Sequence, residues 1–122
     1  MTAKREYLDY LSDIQEAVSH ILAFTEGVTE EQFATDRKTL YAVVRAFEII
    51  GEATKKIPMP VRKRHAKVPW KQMAGMRDKL IHEYFGVNYQ VLWKSIQTDI
   101  PPLQPRMAKV MEQEAKKARR IE

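Results

Sequence analysis

The sequence of 122 residues contains no cysteine, which excludes disulfide-stabilised folds, thiolate metal sites and cysteine catalysis. No uninterrupted apolar stretch approaches the roughly 18–20 residues that a membrane span needs. The start of the chain, from Met1 to Glu6, is charged and lacks the apolar segment of a secretory signal. These absences predict a soluble, cytoplasmic protein that has no membrane partner.

Glycine is also scarce, with four residues, whereas residues that favour helices are plentiful. A chain of this length is expected to form one domain, residues 1–122, with residues 111–122 frayed as a basic tail. The formal net charge of +5 favours an anionic partner, which could be a nucleic acid, a nucleotide or an acidic protein.

Apolar residues recur at three- and four-residue spacing in several segments, as on one face of a helix. Thr29 begins a capping-box pattern, and Asp36 has the position of a helix N-cap. The pattern predicts five helices, over residues 3–24, 38–57, 70–85, 89–99 and 103–120. No segment alternates as a strand would, so we expect an all-α fold, an up-and-down bundle of four to five helices.

The three histidines lie far apart in the sequence, and none has the spacing of metal ligands, so no metal site is predicted. His20 falls on the polar side of the first helix, and His65 is expected to be solvated within a basic segment. His82 differs because Asp78 precedes it by four residues. On a helix that spacing makes them neighbours, so the carboxylate can orient the imidazole and favour its protonated form.

Two further polar residues surround this histidine, Arg77 and Tyr84. At about 100° per residue they fall on nearly the same helix face, and His82 is rotated away from both. Spacing alone leaves two interpretations open, a functional site or an ordinary solvated helix face.

Residues 75–87 closely resemble the signature of the HepT-like proteins, a branch of the HEPN superfamily. Their motif is Arg-x4–6-His-x-Tyr, which Arg77, His82 and Tyr84 match with four intervening residues. Four other segments also fit that family, residues 45–53, 68–70, 92–93 and 99–103, so the resemblance covers roughly residues 7–110.

The resemblance implies a metal-independent endoribonuclease toxin that works as a homodimer, with the motifs of two protomers in one composite cleft. It implies a minimal nucleotidyltransferase antitoxin as partner, which silences the toxin by moving AMP from ATP to the motif tyrosine, here Tyr84. The ATP is used by that antitoxin, so no cofactor is expected for this chain. The polar residue after the motif arginine is often functional in the family, and here it is Asp78.

The residue types suit this chemistry. His82 can exchange protons near neutral pH, and Arg77 can hold phosphate oxygens with two parallel hydrogen bonds. One histidine cannot act as base and acid at the same instant, so a second copy of the chain would supply the other. Tyr84 has three open interpretations: a half-buried structural residue, a surface for base stacking, or the acceptor of AMP.

A basic segment precedes the motif. Its cationic residues are expected to contact the RNA backbone, or alternatively an acidic partner: Arg62, Lys63, Arg64 and Lys67. The alternative function is a non-catalytic helical protein that serves as partner or substrate of a nucleotidyltransferase.

Overall fold

The computed structural model describes residues 5–78 and 88–121, so the motif residues His82 and Tyr84 lie outside the described residues. Within these ranges the regular elements are helices, and no strand occurs there, which confirms the predicted all-α class. The helices are α1 (Tyr7–Thr25), α2 (Glu30–Thr35), α3 (Arg37–Lys55), α4 (Met59–Arg64), α5 (Trp70–Ala74), α6 (Tyr89–Thr98) and α7 (Ile100–Ile121). Residues 76–78 are helical as well.

Both predicted helix caps are present. The Thr29 side chain accepts a hydrogen bond from the Gln32 backbone, and the Gln32 side chain accepts one from the Thr29 backbone, which completes a capping box at α2. Asp36 accepts from the Thr39 amide at 3.1 Å and so caps α3. These bonds satisfy amides that have no partner within the helix, and they fix where each helix begins.

The core lies where α1 and α3 pack together, with α7 covering α1 on another side. The predicted apolar faces are the buried ones. Fully or nearly fully buried are Leu11, Ile14, Val18 and Ile21 of α1, Leu40, Val43, Phe47 and Ile50 of α3, and Leu103, Met107 and Val110 of α7. Burial of such side chains is worth roughly 1.5–3 kcal/mol each, so this face holds the three helices together.

Two predicted helix boundaries differ from the structure. The last helix begins at Ile100, although the prediction placed its start after Pro101 and Pro102. Both prolines lie in its first turn, where a backbone donor is not needed, so they start the helix instead of interrupting it. The helix predicted for residues 70–85 is divided: α5 ends at Ala74, Gly75 forms a turn, and residues 79–85 lie outside the described part.

The predicted frayed tail is wrong for residues 111–121, which continue α7. Glu114 is 2% exposed and accepts hydrogen bonds from Arg64 at 2.7 and 3.1 Å and from the Tyr7 hydroxyl at 3.2 Å. His65, predicted to be solvated, is 10% exposed and lies 2.7 Å from Glu114. The charged composition of this segment concealed a buried carboxylate whose partners lie far away in the sequence.

These contacts keep Glu114 ionised. The Arg64 guanidinium, aided by His65 and Tyr7, lowers the pKa of the Glu114 carboxyl from its ordinary 4.5 to about 2. Burial and the nearby carboxylate raise the pKa of the Tyr7 hydroxyl. Through these contacts, the cluster of Glu114 with Tyr7, Arg64 and His65 connects α7 to the end of α4 and to the start of α1.

Candidate active site

The motif arginine lies directly against α3. A Cβ atom added at Gly51, in the second half of α3, would lie 3.0 Å from the Arg77 backbone nitrogen and 3.1 Å from the Arg77 Cβ. Glycine within a helix costs about 1 kcal/mol relative to alanine, and here it allows the two backbones to approach. Gly51 thus fixes how far Arg77 stands from α3.

The side chain of Arg77 faces a carboxylate on the next residue of α3. Its Nε atom lies 3.8 Å from Glu52 Oε1, and the same oxygen lies 3.6 Å from Arg45 Nη1. The side chains of Arg77 and Glu52 are 47% and 44% exposed, so water screens the pair, which is worth at most about 1 kcal/mol. The contact is longer than a hydrogen bond, so Arg77 keeps donors for an anionic ligand.

Asp78 lies on the surface beside the same helix. Its Oδ2 atom is 3.8 Å from Lys55 Nζ, and the Asp78 side chain is 62% exposed. The structure thus brings Arg77 and Asp78 together with the polar edge of α3. Whether Asp78 orients His82 stays a prediction, because His82 lies outside the described residues, as does Tyr84.

Sequence reasoning missed the contribution of α3 to this site. Arg45, Glu48, Glu52 and Lys55 recur every three or four residues and form a charged stripe along that helix. The stripe is visible in the sequence. Its position opposite Arg77 is not, because it depends on how α3 packs against α5.

Two arginines of the predicted RNA-binding segment donate hydrogen bonds to other residues of the fold. Arg62 donates to the carbonyl oxygens of Thr54 at 2.7 Å and Ile57 at 3.0 Å, near the end of α3 where carbonyls lack helical partners. Arg64 is bound to the buried Glu114. Lys63 and Lys67 are exposed. The contact of these four residues with RNA stays a prediction.

Two kinds of site are absent from residues 5–78 and 88–121. No group of three or more His, Cys, Asp or Glu side chains there has an arrangement that could hold a metal ion. No helix in those ranges combines the length and hydropathy that a membrane crossing requires.

The chain matches known proteins over most of its length. The family model described as "Ribonuclease HepT-like" matches residues 14–110. A Thermococcus cleftensis protein named "Probable ribonuclease HepT" is 51% identical over 107 residues, which cover 88% of this chain and 97% of that protein. A Caldanaerobacter subterraneus protein named "Putative RNase" is 45% identical over 105 residues, covering 86% of this chain and 94% of the other. No solved structure matches.

An all-helical bundle that presents the arginine of an Arg-x4-His-x-Tyr motif at its surface defines the class of HEPN-type ribonucleases. Within that class the chain belongs to the HepT-like ribonuclease family. The family and the enzyme class predicted from the motif are confirmed.

Proposed function

We propose that the protein is the ribonuclease toxin of a toxin–antitoxin pair. It cleaves RNA without a metal or a cofactor of its own, at a composite site where Arg77 and His82 of two copies meet. The observation that carries this proposal is the position of Arg77, which is half exposed and 3.8 Å from Glu52, so that its guanidinium is accessible to an anionic ligand.

The proposed reaction is an intramolecular transesterification of RNA. Neutral His82 of one copy takes the proton of the 2′-hydroxyl, and the 2′-oxygen attacks the adjacent phosphorus. The bond from phosphorus to the 5′-oxygen breaks, and protonated His82 of the second copy gives that oxygen its proton. The products are a 2′,3′-cyclic phosphate and a 5′-hydroxyl, with no net change in protons on the pair of histidines.

Arg77 stabilises the charge that develops on the phosphorane. Its planar guanidinium matches two phosphate oxygens, and half exposure lets RNA displace water from it. Asp78 supports this site by orienting the imidazole of His82, four residues later in the sequence. Its contact with Lys55 at 3.8 Å is long and solvent-exposed, so it does not prevent that role.

Cleavage in the presence of EDTA tests the proposal. Wild-type protein should cleave single-stranded RNA, and His82→Ala should cleave it at least 100-fold more slowly, since general acid–base catalysis contributes about 10²–10⁴-fold. Glu112→Ala is the surface control, because Glu112 is 67% exposed on α7 and should leave the rate unchanged. Equal cleavage by wild type and His82→Ala, or none by wild type, contradicts the proposal.

A second experiment tests whether two copies form one site. Wild type and His82→Ala are co-expressed with different tags at varied ratios, and the activity per wild-type chain is measured at each ratio. If both histidines are needed in one cleft, this activity falls in proportion to the wild-type fraction. A constant activity per wild-type chain means that each copy works alone and removes the dimer from the mechanism.

We propose that Tyr84 is the point of control by a minimal nucleotidyltransferase antitoxin. The tyrosine oxygen attacks the α-phosphorus of ATP, pyrophosphate leaves, and the phenolic proton passes to solvent. The attached AMP places a phosphate near Arg77 and obstructs RNA. After incubation with ATP and a minimal nucleotidyltransferase, intact mass spectrometry should show the gain of AMP, and Tyr84→Phe should show none. An unchanged mass of the wild type contradicts this control.

A further inference from the structure

A cleft of about 470 Å³ lies between the end of α4 and α7. Neither Arg77 nor Asp78 lines it, so it is separate from the described part of the motif. Its floor is apolar, formed by Val68 and Val110. The ionisable residues of its wall are Lys63, Arg64, His65, Lys67, Arg106 and Lys109.

Two elements contribute the exposed cations. Lys63 and Lys67 come from α4 and the residues that follow it, whereas Arg106 and Lys109 lie three residues apart on one face of α7. None of the four forms an ion pair with another residue in the described part of the chain. The positive charge of the cleft is therefore not cancelled locally.

The cluster around Glu114 gives this cleft a fixed shape. Arg64 and His65 point to the buried Glu114, and so they join α4 to α7 behind the cleft. The Trp70 indole donates to the His65 carbonyl at 3.0 Å, which holds the chain between α4 and α5. The exposed lysines and Arg106 are thus presented by elements whose relative positions are fixed.

We propose that this cleft binds the phosphate backbone of an RNA strand outside the cleavage site, a role that rests on the proposed ribonuclease function. A row of exposed cations along the rim of the cleft suits a strand whose phosphates lie at that rim. No aromatic ring other than His65, which is bound to Glu114, is among the described residues lining the cleft, so base stacking adds nothing. Binding is therefore governed by charge and is independent of sequence.

Fluorescence anisotropy with a labelled single-stranded RNA tests this site. All proteins carry His82→Ala so that the RNA stays intact. Adding Arg106→Glu with Lys109→Glu should raise the dissociation constant at least 10-fold. It should also reduce the slope of log K against log salt by about 1.4, since each lost phosphate contact on a single strand contributes about 0.7.

The matched control makes the same charge change on the same helix. Lys116→Glu with Lys117→Glu lies beyond the cleft, where Lys116 is 59% exposed and 3.5 Å from Glu112, and it should weaken binding less than 3-fold. An equal loss in both double variants means a general charge effect and overturns the proposal. If circular dichroism shows that the cleft variant has unfolded, Arg106→Gln with Lys109→Gln replaces it.

Two further results separate this site from its alternatives. Polyglutamate that displaces the RNA at an equal concentration of charges indicates a surface for acidic proteins and overturns the proposal. RNA binding that depends on Arg106 and Lys109, together with a wild type that does not cleave, refutes the proposed function and leaves the binding site standing. Cleavage by the wild type, together with unchanged RNA affinity in the cleft variant, refutes the binding site and leaves the proposed function standing.

Discussion

Replacing Arg77 by lysine is expected to slow RNA cleavage about 100-fold, the effect of removing one well-placed group that stabilises transition-state charge. Lysine keeps the positive charge but loses the planar fork that holds two phosphate oxygens at once. Because the phosphorane carries more charge than the substrate, the loss should fall mainly on kcat, with a smaller change in KM. Single-turnover cleavage of a labelled RNA measures it.

Arg45→Lys is the matched control, since Arg45 contacts the same Glu52 oxygen at 3.6 Å but lies outside the motif. Its rate should stay within 3-fold of wild type. Glu52→Gln should lower both KM and kcat. KM falls because the change removes a negative charge near the RNA, and kcat falls because Arg77 loses the carboxylate that positions its side chain. A loss in Arg45→Lys as large as in Arg77→Lys would contradict a special role for Arg77.

Replacing Glu114 by glutamine is expected to lower the free energy of unfolding by about 2–3 kcal/mol at pH 7. The change removes a carboxylate that is 2% exposed and is bound by Arg64 and His65, and losing one partner of a buried pair is costly. Arg64, 35% exposed, can regain contact with water, which keeps the cost below the upper end for such pairs. Urea denaturation followed by circular dichroism measures the difference.

The pH dependence provides a second check on Glu114. Its pKa is about 2 in the folded protein, below its ordinary 4.5, so the unfolded chain binds the proton more tightly. The stabilisation is therefore complete above about pH 4.5 and is lost as the pH falls towards 2, by about 3 kcal/mol at most. Wild type and Glu114→Gln should converge in stability over this window.

Glu112→Gln is the control for this experiment. Glu112 is 67% exposed and lies 3.5 Å from Lys116 one helical turn away, a contact worth less than about 0.5 kcal/mol. It should leave both the stability and its pH dependence unchanged. If Glu114→Gln is as stable as Glu112→Gln at pH 7, the buried cluster does not stabilise the fold.

Local signals in the sequence were sufficient for the all-α class, for the two long helices α1 and α3, and for the caps of α2 and α3. Asp36 and Thr29 cap helices where the pattern predicts, because a cap depends on residues three positions apart. The same holds for the apolar faces, whose period is set by helix geometry alone. Pro101 misled the boundary prediction because a proline inside the first turn and one that breaks a helix look alike in sequence.

By itself, the sequence determined the all-α class, the family and the motif that contains Arg77 and His82. It could do so because helix periodicity and motif spacing are properties of neighbouring residues. Only the tertiary structure decided that Glu52 stands beside Arg77 and that Glu114 is buried against Arg64. Those contacts join residues 25 and 50 positions apart. Their formation depends on which helix faces pack together, which no local pattern specifies.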